Sequence, residues 1–435
     1  MTKKYKFFIF PLMAMGLALM IAVACKKDDD NNKKPDQPTA VASENIGTSG
    51  GKLAHGTFEL EVLPGVFTGS HNLELIHEVQ GERFESDEAS SFYTVTGIPL
   101  DFTYPIRVKI KPDAGVTEDL LMIVGEESYV GPIDTVVMTY NFRQASKEDD
   151  SYVYYVSNFE NPGGNIQEQT MSMTFGLVAN YTSTDNALKQ GNTAGESTTQ
   201  RKFRVYAHKT LINEAISLED HLQGAYDYIQ NELGFSYSKR TKWPVEVNYY
   251  KFKGPVLYLW GESKDAFGYY VASKLGDDYG VININSALVF SESTVKATAA
   301  HEFFHLVQSL YDPRGKFVKA TMSSPWLWVE EAASTWVEGM VLPGVTPSIR
   351  HDYLLTPFLG MNNTVFNGPG PHGYGMSGLI KYMVDKYGTN TILELFQEHL
   401  NGNNDIIEAF ENVFPDDLVD EYPIFMKEYA LGNVY

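Results

Sequence analysis

The chain has 435 residues, with 55 acidic against 34 basic side chains and a formal net charge of −21. A surplus of that size argues against a nucleic-acid partner and against a polybasic membrane patch, since both need a cationic face. A single cysteine excludes an intrachain disulfide and cysteine-based structural zinc, so any metal must be held by histidine and carboxylate.

The amino terminus reads as an address. Residues 1–6 (MTKKYK) are basic, residues 7–24 are apolar and uncharged, and Cys25 follows directly. The segment 22–25 (AVAC) resembles a bacterial lipoprotein box, in which the cysteine becomes the lipidated first residue. That resemblance implies a signal peptide over 1–24 and an outer-membrane anchor at Cys25. An uncleaved signal anchor is the alternative, because 18 apolar residues barely span a bilayer. Residues 26–30 (KKDDD) resemble the export signal of surface lipoproteins in Bacteroidota, which implies exposure on the cell surface. A solvated spacer is the plainer reading. Residues 25–44 form a polar tether containing Pro35 and Pro38, with no apolar period.

From 45 to 183 the chain alternates short β-branched or aromatic runs with Gly, Pro, Asp and Asn. FELEV, NLELIHEV, IRVKI, LMIVGEE and SYVYYV are examples, and their spacing predicts an antiparallel β-sandwich domain. The pattern IGTSGGKL, FELEVLPGVF and TVTGIPLDFTYPIRVKI is similar to the β-sandwich domain of zona-occludens, ankyrin and netrin-receptor proteins. It implies a domain that spaces or presents. Residues 184–200 are polar and rich in Gly, Ser and Thr, and read as a linker.

Residues 201–435 mix strand and helix signals. FRVYAH reads as a strand. LEDHLQGAYDYIQNELG reads as an amphipathic helix with Leu218, Leu222, Ala225, Tyr226, Ile229 and Leu233 on one face, stopping at Gly234. VEVNYYKF, GPVLYLWG and GVININSA read as strands, and helices dominate from Thr294 onward. Strands first and helices afterwards predict an α+β domain.

The chemistry lies in one motif. Residues 301–305 read HEFFH inside a run without Pro or Gly. On a helix His301 and His305 stand at i and i+4 and project from one face, so two imidazoles can hold one Zn²⁺. Glu302 sits beside that site without binding it, placed to take the proton of an attacking water. Catalytic zinc keeps three protein ligands and one open position. No His follows within reach of His305, so the third ligand must be a carboxylate, and WLWVEEAASTWVEG (326–339) is a helical segment carrying Glu330, Glu331 and Glu338. Glu330 and Glu331 point about 100° apart on a helix, so only one of them can face the metal.

HEFFH followed by WVEEAASTWVE is similar to the gluzincin metallopeptidases. The aminopeptidase-N-like branch carries W-x-x-E-G-x-A-x-x-x-E in this place, and hyicolysin-like and myxobacterial secreted peptidases resemble the chain in HEFFH itself. The resemblance implies a zincin-like, thermolysin-like catalytic domain over 201–435. Trp328 matches the Trp, Glu331 the zinc ligand, Ser334 the small residue and Glu338 the last Glu. Ala332 stands where Gly is usual, Thr335 where thermolysin-like enzymes have Asp, and the gap between His305 and Glu331 is longer than usual. Glu338 at two turns from Glu331 suits a hydrogen bond to a ligand histidine.

An oxyanion donor is also needed. GPGPHGYGMSGLIKYMVDKYG (368–388) reads as a Gly/Pro-rich loop leading into a helix. In the related families a Tyr or His at the start of a later helix fills this role. Tyr374 is the first candidate donor and His372 the second. The remaining histidines, including His208, His221, His351 and His399, have no partner at ligand spacing and read as surface or packing residues.

The sequence therefore leads to a zinc-dependent peptidase of the cell surface acting on a protein or peptide substrate. The rival is a non-catalytic surface adhesin or nutrient-binding lipoprotein with a structural or vestigial zinc site. An intact Glu302 disfavours the rival, because a structural site has no use for it.

Overall fold

Alternating burial begins as soon as the chain becomes strand-like. In FELEV the residues Phe58, Leu60 and Val62 are buried while Glu59 and Glu61 are only partly covered, the period of two that a pleated strand imposes. The computed structural model describes residues 39–434, apart from 79–83, 103, 117–118, 131–134, 158–169, 191–200, 253–255, 260–261, 273–278, 290 and 343–368. The signal segment, Cys25, most of the tether, the second part of the expected linker and His351 lie outside the described residues.

Eleven strands come first: β1 (Ala40–Ile46), β2 (Gly51–His55), β3 (Phe58–Val62), β4 (His71–Glu78), β5 (Phe92–Pro99), β6 (Ile106–Ile110), β7 (Leu121–Val130), β8 (Thr135–Arg143), β9 (Ser146–Glu148), β10 (Ser151–Val156) and β11 (Thr170–Val178). They build a six-stranded sheet, β1-β4-β5-β11-β7-β8, and a five-stranded sheet, β2-β3-β6-β10-β9, with antiparallel pairing throughout. One apolar cluster draws Leu73, Val95 and Phe175 from the first sheet and Leu53, Leu60 and Val108 from the second.

A third sheet follows. It contains β12 (Tyr181–Ser183), β13 (Phe203–His208), β14 (Val245–Tyr250), β17 (Gly268–Val271) and β18 (Val281–Asn285), in the order β12-β13-β14-β18-β17. A separate hairpin joins β15 (Val256–Leu259) and β16 (Glu262–Asp265). The segment expected as a linker opens as a helix, α1 (Thr184–Gln190), and β12 just before it already pairs with β13. Strands β13, β14 and β18 run parallel, and α2 (Ile212–Asn231) makes the crossover from β13 to β14. The region is thus mixed α/β, not a block of strands followed by a block of helices. Helix α2 starts six residues earlier than the apolar period alone marks, and Gly234 beyond its end takes the left-handed conformation (φ +76°) that releases the chain.

The remaining helices are α3 (Glu292–Tyr311), α4 (Lys316–Thr321), α5 (Leu327–Val341), α6 (Pro369–Tyr387), α7 (Asn390–Leu400), α8 (Ile406–Val413) and α9 (Leu418–Ala430). Residues from α2, α3, α5, α6 and α7 share one core with β13, β14 and β18. No helix among the described residues is long and apolar enough to cross a membrane.

The turn from α3 to α5 is held by buried charge. Asp312 ends α3 and takes a bidentate grip from Arg314, at 2.9 and 2.7 Å to one oxygen, while Arg314 Nη1 donates to the Ser323 carbonyl at 2.7 Å. Trp326 then stacks on His399 of α7 at 4.6 Å between ring centroids and donates to the Asn403 carbonyl at 3.1 Å. Burial of His399 outweighs the Asp312 carboxylate 3.9 Å away and lowers its pKa to about 4. A depressed imidazole gives stability that is complete above the unfolded-state pKa of about 6.5 and is lost as pH falls toward 4. Between those limits the native state should lose on the order of 3 kcal/mol through this residue. Urea unfolding of wild type and His399→Gln across pH 7 to 4 checks it. The variant should be less stable at pH 7 and show a shallower decline on acidification, whereas parallel curves would remove His399 as the cause.

Candidate metal centre

Helix α3 carries HEFFH through its middle. Ser291 caps it, accepting from the Thr294 amide at 3.3 Å. Apolar Ala299, Ala300, Phe303, Phe304, Leu306 and Val307 hold it in the core, and this drags His301, Glu302 and His305 out of water with it. Helix α5 packs across it and brings Glu331, which is fully buried, to both histidines.

Three ligand atoms converge. The Nε2 atoms of His301 and His305 are 3.0 Å apart. Glu331 Oε2 lies 3.4 Å from His301 Nε2, and Oε1 lies 3.3 Å from His305 Nε2. Donors about 2.0–2.1 Å from one tetrahedral ion stand about 3.3 Å from each other, so the trio fits a zinc-sized cation. Neither Glu331 oxygen receives a well-directed hydrogen bond, although both are buried. Burial without a partner is costly for a carboxylate, and a cation in the gap would remove that cost.

The outer nitrogens fix the tautomers. His301 Nδ1 donates to Glu338 Oε1 at 2.7 Å. Gln308 Nε2 donates to the Glu330 carbonyl at 2.8 Å and to Ser334 Oγ at 3.2 Å, which leaves its Oε1 to accept from His305 Nδ1 at 2.8 Å. Both Nε2 lone pairs are then directed at Glu331. Electrostatics agree that this gap favours positive charge. Burial works against protonating His301, but hydrogen bonds to Glu331 and Glu338 outweigh it and raise its pKa to about 10. His305 is raised as well, because Glu331 overcomes the same burial. Burial also opposes ionising Glu331, yet the two histidines hold its carboxyl well below the usual carboxylate range.

Between the two candidate carboxylates the geometry separates roles. Glu330 turns away from the histidines' Nε2 atoms, accepts from Ser324 Oγ at 2.7 Å, and is pushed up to about 7 by burial and by Asp312. Glu302 is buried beside the trio but outside it. Burial raises its carboxyl against the pull of His301 and His305, and the Tyr270 amide of β17 faces it. Gly268 on the same strand admits Glu302 closely: a Cβ there would lie 3.0 Å from Glu302 Cγ. Thr335, standing where an Asp is usual, keeps a buried hydroxyl with no hydrogen-bond partner, and Glu338 holds His301 instead.

Residues 369–387 are helical from Pro369, so His372 and Tyr374 stand in the first turns of α6 and not in a loop. Proline is tolerated there because first-turn amides have no intrahelical acceptor. The Tyr374 ring lies 6.0 Å from the His301 ring, while His372 packs on Trp328 at 5.6 Å. Gly373 between them is the point of closest approach to α5. A Cβ at that position would lie 2.5 Å from both Glu331 Cβ and the Trp328 carbonyl oxygen. Sequence reasoning missed Gln308, Ser334, Gly268 and Gly373. Gln308, one turn after His305 on the same helical face, was the one with a readable signal.

No family model matches the sequence, and no curated protein matches it either. The geometry of the site itself therefore carries the functional argument. Gly373→Ala should force α6 off α5 and shift Glu331, lowering zinc affinity by about 10–100-fold, the range for losing support behind a ligand. Competition against a chromophoric chelator measures this, with circular dichroism confirming that the helices remain. Unchanged affinity would show that α6 does not set the position of Glu331.

Proposed function

We propose that the chain is a zinc-dependent peptidase, with a β-sandwich formed by the first two sheets and a zincin-like catalytic region over the third sheet and the helices. The observation that supports it most is the convergence of His301, His305 and Glu331 in a buried gap, with a fourth buried group, Glu302, adjacent and uncommitted. In this reading the lipoprotein-like amino terminus tethers the enzyme to the outer membrane at the cell surface.

A zinc ion held by the trio would supply Lewis acidity, polarising a peptide carbonyl and making water nucleophilic near neutral pH. The chain's own groups do the rest. Glu338 and Gln308 hold the two imidazoles in the tautomer that presents Nε2. Glu302 takes a proton from the attacking water and returns it to the departing amine. Its raised pKa suits both halves of that transfer, since a base too acidic would not accept the proton. Tyr374, beside His301, is placed to hydrogen-bond the oxygen that becomes negative as the carbonyl is attacked. His372 is turned to Trp328 and is the weaker choice.

Two substitutions test the roles in the purified mature chain, with casein hydrolysis as the assay. Glu302→Gln should keep about one zinc per chain and lose about 10²–10⁴-fold in turnover. A near-normal rate would place the base elsewhere. Tyr374→Phe keeps the ring and deletes the donor, so kcat should fall about 10²–10³-fold with little change in KM. Full activity in that variant, with loss in His372→Ala, would transfer the role to His372. A wild-type protein that binds zinc but cleaves no protein or peptide would instead favour a structural site.

A further inference from the structure

The six-stranded sheet has a second set of partners. Along β7 the apolar residues alternate between two cores: Met122 and Val124 join the cluster shared with the five-stranded sheet, while Leu121 and Ile123 join a cluster with Tyr206 and Tyr250 of the third sheet. Phe142 of β8 is central to the latter, 5.4 Å from the Tyr250 ring and 4.6 Å from the Tyr181 ring. Residues 40–435 form one compact unit accordingly.

Polar contacts cross the same boundary. Asn248 of β14 is fully buried, and its Oδ1 accepts from the Phe142 amide at 3.2 Å. Its Nδ2 donates to Asn141 Oδ1 at 3.0 Å and to Asn283 Oδ1 at 2.9 Å. Asn283 of β18 is the register partner of Asn248 on one side and of Tyr269 on the other. Asn141, Asn248, Asn283 and Tyr269 thus form one row from β8 to β17, the strand whose Gly268 and Tyr270 flank Glu302. Thr139, also of β8 and fully buried, sits by the Tyr269 hydroxyl and makes no short hydrogen bond of its own.

A side chain such as asparagine is expensive to bury unless its amide is satisfied, so this row has one low-energy register. We propose that β8 of the six-stranded sheet positions the edge strand β17, and through it Glu302, by way of the Asn141–Asn248–Asn283 row. Asn141 and Asn248 are positioning residues, and the amino-terminal sheets are a fixed wall of the metal site instead of a detachable presenting module. The mechanical coupling stands on the contacts alone. Its effect on turnover rests on the reading of Glu302 as the base.

Amide hydrogen exchange on the full mature chain tests the coupling without any assay of activity. In Asn141→Ala, which lies outside the third sheet, exchange across Gly268–Val271 should quicken about tenfold or more, while the interior of α3 keeps its protection. Asn141→Asp, which retains an acceptor for Asn248 Nδ2, should restore part of it. In the same variant zinc content should hold and kcat should fall several-fold at nearly constant KM. Should Asn141→Ala not fold, Thr139→Val keeps the volume and should still quicken exchange at Tyr269. Unchanged exchange in β17 for the folded variants would overturn the proposal. Quickened exchange with wild-type kcat would leave the coupling in place and count against Glu302 as the base.

Discussion

Everything around the centre follows from placing three lone-pair donors, two imidazole nitrogens and a carboxylate, against one another without water. Such a group is repulsive unless positive charge enters it, whether a proton or a metal ion. The raised histidines and the strongly acidic Glu331 express that demand. An ion of zinc size satisfies all three at once, whereas a single proton satisfies one pair and leaves the third atom buried and unpaired. The surrounding network spends its hydrogen bonds on the outer nitrogens, through Glu338 and Gln308, and so leaves the inner ones free.

Holding that arrangement requires rigid elements on several sides. Helix α3 supplies two ligands from one face, and α5 brings the third across a long connection. That connection is not slack: Asp312, Arg314, Trp326 and His399 tie its ends to the core, which explains how 25 intervening residues can still deliver Glu331 to His305. Helix α6 closes the back through Gly373, and β17 closes the side through Gly268, each glycine standing where a methyl group would push on a carboxylate side chain. The amino-terminal sheets complete the wall by gripping the third sheet through Phe142 and the buried asparagines.

Much of this was legible in the sequence. The i, i+4 histidines, the intervening Glu302 and the glutamates of 330–338 identify the site because helix geometry converts spacing into direction. The strand runs of 45–183 were readable from their period of two. Other features were not local. LMIV was read as an ordinary half-covered strand, but its unbroken apolar run reflects burial on both faces, which joins two parts of the chain that sequence alone separates. Gly/Pro-rich 368–374 reads as a loop, yet proline in a first turn and glycine at a helix contact are compatible with α6, and only the packing partner decides between them. Parallel pairing of β13, β14 and β18 is likewise invisible until the crossover by α2 is seen. Asn248 and Asn283 look like unremarkable polar residues in strands, and their burial depends on a partner more than a hundred residues away.

The central claim concerns which atoms surround the metal. Anomalous diffraction at the zinc edge on crystals of the mature chain, grown without added metal, tests it directly. The account predicts one ion about 2.0–2.2 Å from His301 Nε2, His305 Nε2 and a Glu331 oxygen, with Glu302 near it but unbound. A peak held by other residues, or ligation through Glu330 in place of Glu331, would contradict it.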